Sequence, residues 1–188
     1  MNILIAVTGS IAAYKTPSIV SILVNNGHSV KVMMTKSAED FVTRIALSAM
    51  SRNHVYTDDN NSANDGRIHH IELAQWADVI AVVPASYNTL SKIILKLADN
   101  LVTSTIAALP SDRKLLIFPA MNVHMWNNIK PTLLQGFKSE VHIRRTYMKD
   151  NITVFEPASG KQACGDVGLG KLLSTKNIVE LIENHRSV

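Results

Sequence analysis

The opening of the chain constrains the fold more than any other stretch. Asn2-Ile3-Leu4-Ile5-Ala6-Val7-Thr8 is a short apolar run of strand character, Gly9-Ser10 follows at once, and a helix-like stretch runs from Ile11 to Asn26. Strand, Gly-Ser turn and helix in that order begin a nucleotide-type α/β fold. Such a turn aims backbone N–H groups and the Ser10 hydroxyl, backed by a helix N-terminus, at a phosphate or another polar ligand part. It is not the dinucleotide fingerprint. G-x-G-x-x-G is absent, and the next strand, Ser29-Val30-Lys31-Val32-Met33-Met34, ends in Thr35 rather than in an acid for a ribose 2′-hydroxyl, so NAD is disfavoured.

Further strand ends carry similar polar clusters. Thr35-Lys36-Ser37-Ala38 sets two hydroxyls and a lysine at a helix start, which suits a phosphate seat and equally suits ordinary N-capping by Thr35 or Ser37. The strand Asp78-Val79-Ile80-Ala81-Val82-Val83 runs into Pro84-Ala85-Ser86-Tyr87-Asn88-Thr89, a hydroxyl-and-amide loop ahead of a helix from Leu90 to Leu97. Lys114-Leu115-Leu116-Ile117-Phe118 is an apolar run with the look of a buried strand, and it delivers Pro119-Ala120-Met121-Asn122-Val123-His124-Met125-Trp126 to one edge of the sheet. Ligands of open α/β sheets bind at the carboxyl ends of the strands. The Asn122 amide can both donate and accept, which suits a carboxylate or a flavin edge, and Met121, Met125 and Trp126 offer soft, flat apolar surface. The same loop also reads as a strand end with a Met/Trp plug and an Asn turn.

At 188 residues, with 46% hydrophobic and 18% charged, the chain is expected to form a single domain over 1–188 with a core of its own. The net charge of +4 comes from dispersed cations with no run longer than Arg144-Arg145, which argues against a nucleic-acid partner. One cysteine, Cys164, excludes an intrachain disulfide and a cysteine-rich zinc site, and fits a reducing compartment. No cleavable leader and no membrane-length apolar segment is visible, so a cytoplasmic protein without a membrane partner is expected. Residues Ser51 to Arg67 read as a polar, exposed connection, and their acids match no metal-binding pattern, so no metal site is expected. Behind them, Ile68-His69-His70-Ile71-Glu72 puts a histidine pair at a helix start, a candidate base or a capping pair.

Taken in order, Gly9-Ser10, Thr35-Lys36-Ser37, His70-Ile71-Glu72-Leu73, Pro84 to Thr89, Asp99-Asn100 and Pro119-Ala120-Met121-Asn122 resemble the flavin-dependent cysteine decarboxylases. This family includes phosphopantothenoylcysteine decarboxylase and the lanthipeptide decarboxylases, and the resemblance runs from about Ile3 to Leu172. It implies a Rossmann-like, flavodoxin-like three-layer sandwich around a central parallel sheet, with FMN as cofactor. By resemblance, Ser10, Ile11, Ala12, Thr35, Lys36, Ser37, Ser86, Tyr87, Asn88, Thr89 and Ala120 would line the FMN. His70, directly before Ile-Glu-Leu, would be the base, and Asn122 would hold the substrate carboxylate. Trimers, or dodecamers built of trimers, are the implied assembly, with His70 reaching a site partly made by the next chain. The apolar helix faces Asn100 to Leu109 and Ile45 to Met50 are candidates for that interface.

Ala158 to Lys171 holds four glycines around Cys164, a composition that suits a mobile flap, placed at about 155–172. It resembles the Ala-Cys-Gly-Asp flap of phosphopantothenoylcysteine decarboxylases, whose cysteine returns a proton after decarboxylation. The family chemistry so implied is oxidation of the cysteinyl side chain by FMN to a thioaldehyde, loss of CO₂ to an ene-thiolate, and reduction to 4′-phosphopantetheine with Cys164 as proton donor. Lanthipeptide decarboxylases stop at the ene-thiol and as a rule lack this flap. Tyr87 stands where a small residue is usual, Lys96 where glycine is common, and Gly170-Lys171-Leu172 replaces the more usual Gly-Arg-Met. The connection Val141 to Asp150 is longer and basic, and reads as an extension of the flap hairpin, a phosphate contact or a solvated excursion. A peptide-cysteine decarboxylase and a non-catalytic flavin-binding regulator are the alternatives, and the synthetase fused to many bacterial relatives would be a separate protein.

Overall fold

The computed structural model describes residues 1–60, 68–141 and 145–184. Part of the polar connection, at 61–67, part of the basic one, His142-Ile143-Arg144, and residues 185–188 lie outside the described residues. Strands β1 (Asn2–Val7), β2 (Ser29–Met34), β3 (Val55–Tyr56), β4 (Val79–Ala85), β5 (Lys114–Pro119), β6 (Lys138–Val141), β7 (Arg145–Lys149) and β8 (Ile152–Phe155) form one sheet in the order β3-β2-β1-β4-β5-β8-β7-β6. From β3 to β8 the neighbours pair in parallel, and β7 and β6 then add an antiparallel edge. Strand order reverses direction on either side of β1, which places a topological crevice at the carboxyl ends of β1 and β4.

Alternation along β1 shows why the strands are apolar throughout. Ile3, Ile5 and Val7 pack on one face with helices α1 (Thr16–Asn25), α2 (Arg44–Ser51) and α7 (Thr175–Asn184). Leu4 and Ala6 pack on the other with α3 (His69–Trp76), α4 (Tyr87–Ile94), α5 (Leu101–Ala107) and α6 (Val123–Gly136). Each fully buried Leu, Ile or Val contributes about 1.5–3 kcal/mol over its exposed state, so both helical layers are bound by the sheet's two faces. The three-layer sandwich follows from that period of two.

Three local expectations differ from the structure. The helix after Gly9-Ser10 begins as a 3₁₀ turn, Ile11–Lys15, and becomes α-helical only where Thr16 and Pro17 pre-set its first turn. The polar connection after α2 contains β3, paired with β2 through Val32–Val55 and Met33–Tyr56. Two residues are too short a strand to show alternation. The basic connection joins neither the flap nor a loop: β6 and β7 are a hairpin that extends the main sheet, held by Tyr147, which is fully buried against Trp126.

Lys96 occupies the left-handed region with φ 57, directly after α4, a conformation that glycine adopts without the steric cost borne by a Cβ. The departure at this position is therefore a backbone cost rather than a change in chemistry.

Candidate functional site

The floor of the site is made where β1, β4 and β5 end. Thr8, fully buried, donates its hydroxyl to Pro84 O at 2.7 Å and accepts from Ser86 N at 2.8 Å. Ser10 donates to Ala120 O at 3.0 Å while its Oγ caps the 3₁₀ turn through Ala12 N, and Ala120 N donates to Ala85 O. Three loops from distant parts of the chain are thus laced together by bonds that leave few polar groups orphaned. Ser37 is drawn against the first turn as well. A Cβ on Gly9 would lie 2.4 Å from Ser37 Oγ, so only glycine lets the second strand end approach this closely. Ser86 caps α4 through Thr89 N, and the Tyr87 hydroxyl donates to Asn128 Oδ1 at 2.8 Å, tying α4 to α6.

Asn122 is the N-cap of α6. Its Oδ1 accepts from His124 N at 2.8 Å, which fixes the amide so that Nδ2 faces away from the helix. Over it lies a separate two-stranded sheet, β9 (Ala158–Lys161) with β10 (Val167–Lys171), whose turn holds Cys164. Asn122 Nδ2 donates to Asp166 Oδ2 at 2.7 Å and to Cys164 Sγ at 3.2 Å, and the thiol in turn donates to Asp166 Oδ2 at 3.4 Å. These bonds hold the Asp166 carboxyl below the usual carboxylate range, with Asn122 the larger cause and Cys164 the next; partial desolvation opposes them and nearby His124 assists.

The hairpin docks by close backbone approach. Met121 N donates to Gly170 O at 2.9 Å and Val123 N to Gln162 Oε1 at 3.0 Å. Gly170 has φ +144, and a Cβ there would sit 2.3 Å from Met121 O, so any side chain would push the hairpin off the Asn122 loop. Gly170 serves this contact, and Gly168, where a Cβ would meet the Val123 side chain, supports it, whereas Gly165 has open space around it.

Floor and hairpin enclose a cavity of about 690 Å³, within the range of cofactor sites. Of the residues singled out in the sequence, Ser10, Ile11, Ala12, Ser37, Ser86, Tyr87, Asn88, Ala120, Asn122 and Cys164 line it. Thr35, Lys36, Thr89 and His70 do not. Thr35 is buried, with its hydroxyl 3.3 Å from Ser37 Oγ; it holds the N-cap position without a side-chain cap bond, so it supports Ser37. Thr89 is buried behind Ser86, while Lys36 points to solvent. His70, in the first turn of α3, has a buried Nδ1 with no hydrogen-bond partner among the described residues. The sequence assigned no role to Thr8 or Gln162, nor to Asp166, although Asp166 stands in the Ala163-Cys164-Gly165-Asp166 motif. Nothing local shows what they do, because each acts through a partner far along the chain: Asp166 meets Asn122 across 44 residues and Thr8 meets Ser86 across 78. Lys15, Lys161 and Lys171 add cations to the wall, and Ile11, Tyr14, Phe41 and Met125 leave large apolar surface exposed around the mouth.

Residues 1–187 match the Flavoprotein family. The chain belongs to that family. Over 184 residues it is 40% identical to the coenzyme A biosynthesis bifunctional protein CoaBC of Bacillus subtilis (strain 168), covering 98% of this chain and 43% of the relative. The family member thus spans less than half the length of that protein. A probable phosphopantothenoylcysteine decarboxylase of Streptococcus mutans serotype c is 38% identical over 182 residues, covering 97% of both chains. Among solved structures, a PPC decarboxylase variant complexed with pantothenoylaminoethenethiol superposes with a TM-score of 0.81 at 30% identity, covering 97% of this chain and 96% of that one. The FMN binding protein AtHal3 superposes at 0.78 with 31% identity, covering 97% and 95%. No helix among the described residues is long and apolar enough to cross a membrane.

Proposed function

We propose that this flavoprotein is a cytoplasmic, FMN-dependent phosphopantothenoylcysteine decarboxylase that forms 4′-phosphopantetheine for coenzyme A biosynthesis. The observation that carries the reading is the meeting of Asn122 Nδ2 and Cys164 Sγ, 42 residues apart in sequence and 3.2 Å apart over the cavity. A group that can grip a carboxylate and a group that can deliver a proton are thereby aimed at one place.

The residues fit FMN. The close approach of Gly9 and Ser37 leaves a hydroxyl-rich cradle between two strand ends, suited to a ribityl phosphate, with Ser10, Ser86 and Asn88 around it. Ile11, Tyr14 and Met125 stand exposed where a flat tricyclic ring would cover them. When bound, FMN supplies the two-electron oxidation of the cysteinyl thiol that lets the neighbouring carboxylate depart as CO₂. The chain's own parts are then few. Asn122 orients the carboxylate through Nδ2, the hairpin of β9 and β10 excludes water, and the Cys164 thiol gives its proton to carbon. His70 takes the substrate proton at the oxidation stage. Because no histidine lines the cavity of a single chain among the described residues, His70 would act from a neighbouring subunit, which supports a trimeric assembly.

The test begins with the mass of the cofactor extracted from purified protein, expected to be that of FMN. Phosphopantothenoylcysteine and a cysteine-terminated peptide are then offered in parallel, with CO₂ and product mass followed. Release from the first alone is expected, and release from the peptide alone, or from neither, overturns the reading. Cys164→Ser is expected to keep FMN and release CO₂ while failing to form the saturated thiol.

A further inference from the structure

The Asn122 amide has no donor to spare. Its Oδ1 is committed to the backbone of α6 through His124 N, so the amide cannot turn over without uncapping that helix. Its Nδ2 has two N–H groups, and both are engaged: one by Asp166 Oδ2 at 2.7 Å, one by Cys164 Sγ at 3.2 Å. A ligand carboxylate that binds Nδ2 must therefore take the place of one of them. Asp166 offers the same chemical group in the same role, an ionised carboxylate accepting a charge-assisted bond. Two carboxylates on one amide would also repel each other.

We propose that Asp166 competes with the substrate carboxylate for Asn122: a carboxylate ligand seats by displacing Asp166 Oδ2 from Nδ2, and the same displacement frees the Cys164 thiol from its bond to that oxygen. This rests on the reading of Asn122 as the carboxylate holder. The consequence couples recognition to proton delivery, since the exposed Cys164 thiol, 3.4 Å from Asp166 Oδ2, then loses its shorter acceptor and keeps only the longer contact to Gln162 Oε1 at 3.8 Å. The displaced Asp166 has a partner at hand: His124 Nε2 lies 4.0 Å from Oδ2, and that imidazole is exposed enough to follow it. Lys161 and Lys171, on the wall of the same cavity, are the other charges facing the exchange. Asp166 is thus a positioning and selectivity residue, acting through Asn122 and Cys164.

The test uses flavin-loaded protein and two unreactive ligands, the S-methyl thioether of phosphopantothenoylcysteine and that of 4′-phosphopantetheine, which differ only in the carboxylate. Binding is measured by calorimetry on wild type, Asp166→Asn and Asp166→Ala. Removing the competing charge is expected to tighten the carboxylated thioether by about tenfold or more while moving the other by about twofold at most. Equal weakening of both ligands, the signature of a purely structural flap residue, overturns the proposal, as does no change in either. Wild-type protein that binds neither thioether sinks the substrate reading and this proposal together. Wild-type protein that binds both, with no carboxylate-selective gain in either variant, sinks this proposal alone.

Discussion

The three strand-end loops beneath the cavity are held to one another by the buried bond of Thr8 to Pro84 O and by partly buried bonds, Ser86 N to Thr8 and Ser10 to Ala120 O. The hairpin above them is held by partly exposed side chains, Asn122, Gln162, Cys164 and Asp166, and by the backbone bond from Met121 N to Gly170 O. The Thr8 hydroxyl in the floor cannot lose Pro84 O without leaving an orphan in a dry interior, whereas the exposed Cys164 and its partners in the roof can exchange with water or with a ligand. The difference teaches a division of labour. Under the proposed function, the floor would keep the cofactor, and the roof would admit, check and protonate the substrate.

The sharpest way to break that division is a pair of glycine substitutions. Gly170→Ala puts a Cβ against Met121 O and is expected to cut kcat/KM by about a hundredfold with flavin retained, as misplacement of the closing element does. Gly9→Ala, whose Cβ meets Ser37, is expected instead to weaken flavin retention by about tenfold or more in equilibrium dialysis. If the two phenotypes are swapped, the assignment of floor and roof is wrong. Thr8→Val strands Ser86 N and Pro84 O, and its expected cost is about 1–3 kcal/mol in urea unfolding. Lys96→Gly relieves a left-handed backbone outside both regions and is expected to add about 0.5–1 kcal/mol, with no change in either ligand.

Acidity sharpens the comparison further. The folded-state pKa of Asp166 lies below its ordinary value, so the carboxylate's hold on the roof is fully present above the ordinary aspartate range, about 3.9, and is lost as pH falls through the lowered value. The bonds lacing the floor contain no titrating group. Limited proteolysis should therefore cut the hairpin faster below about pH 3.9 while the strand-end loops stay protected. Equal loosening of both regions would erase the distinction.

Much of this was legible along the chain. Strand ends from β1, β4 and β5 announce themselves because a parallel strand buried on both faces must be apolar throughout, and each such run stops at a polar turn. Asn122, Cys164 and most of the cavity's hydroxyl residues stood in those turns or in the glycine-rich stretch. Thr8 was hidden inside an apolar run, and the hairpin of β6 and β7 inside a basic one, because neither composition tells which sheet edge a segment will join.

The order of the residues alone therefore determined a sheet with its ligand loops at one end, since burial period and turn chemistry are local properties that each segment carries with it. Only the tertiary structure decided that Asp166 lands on Asn122, that Gly9 must yield to Ser37, and that His70 stays off the cavity of its own chain. Those are contacts between segments far apart along the backbone, and their geometry exists only after both faces of the sheet have been covered and the strand ends brought to within hydrogen-bonding reach.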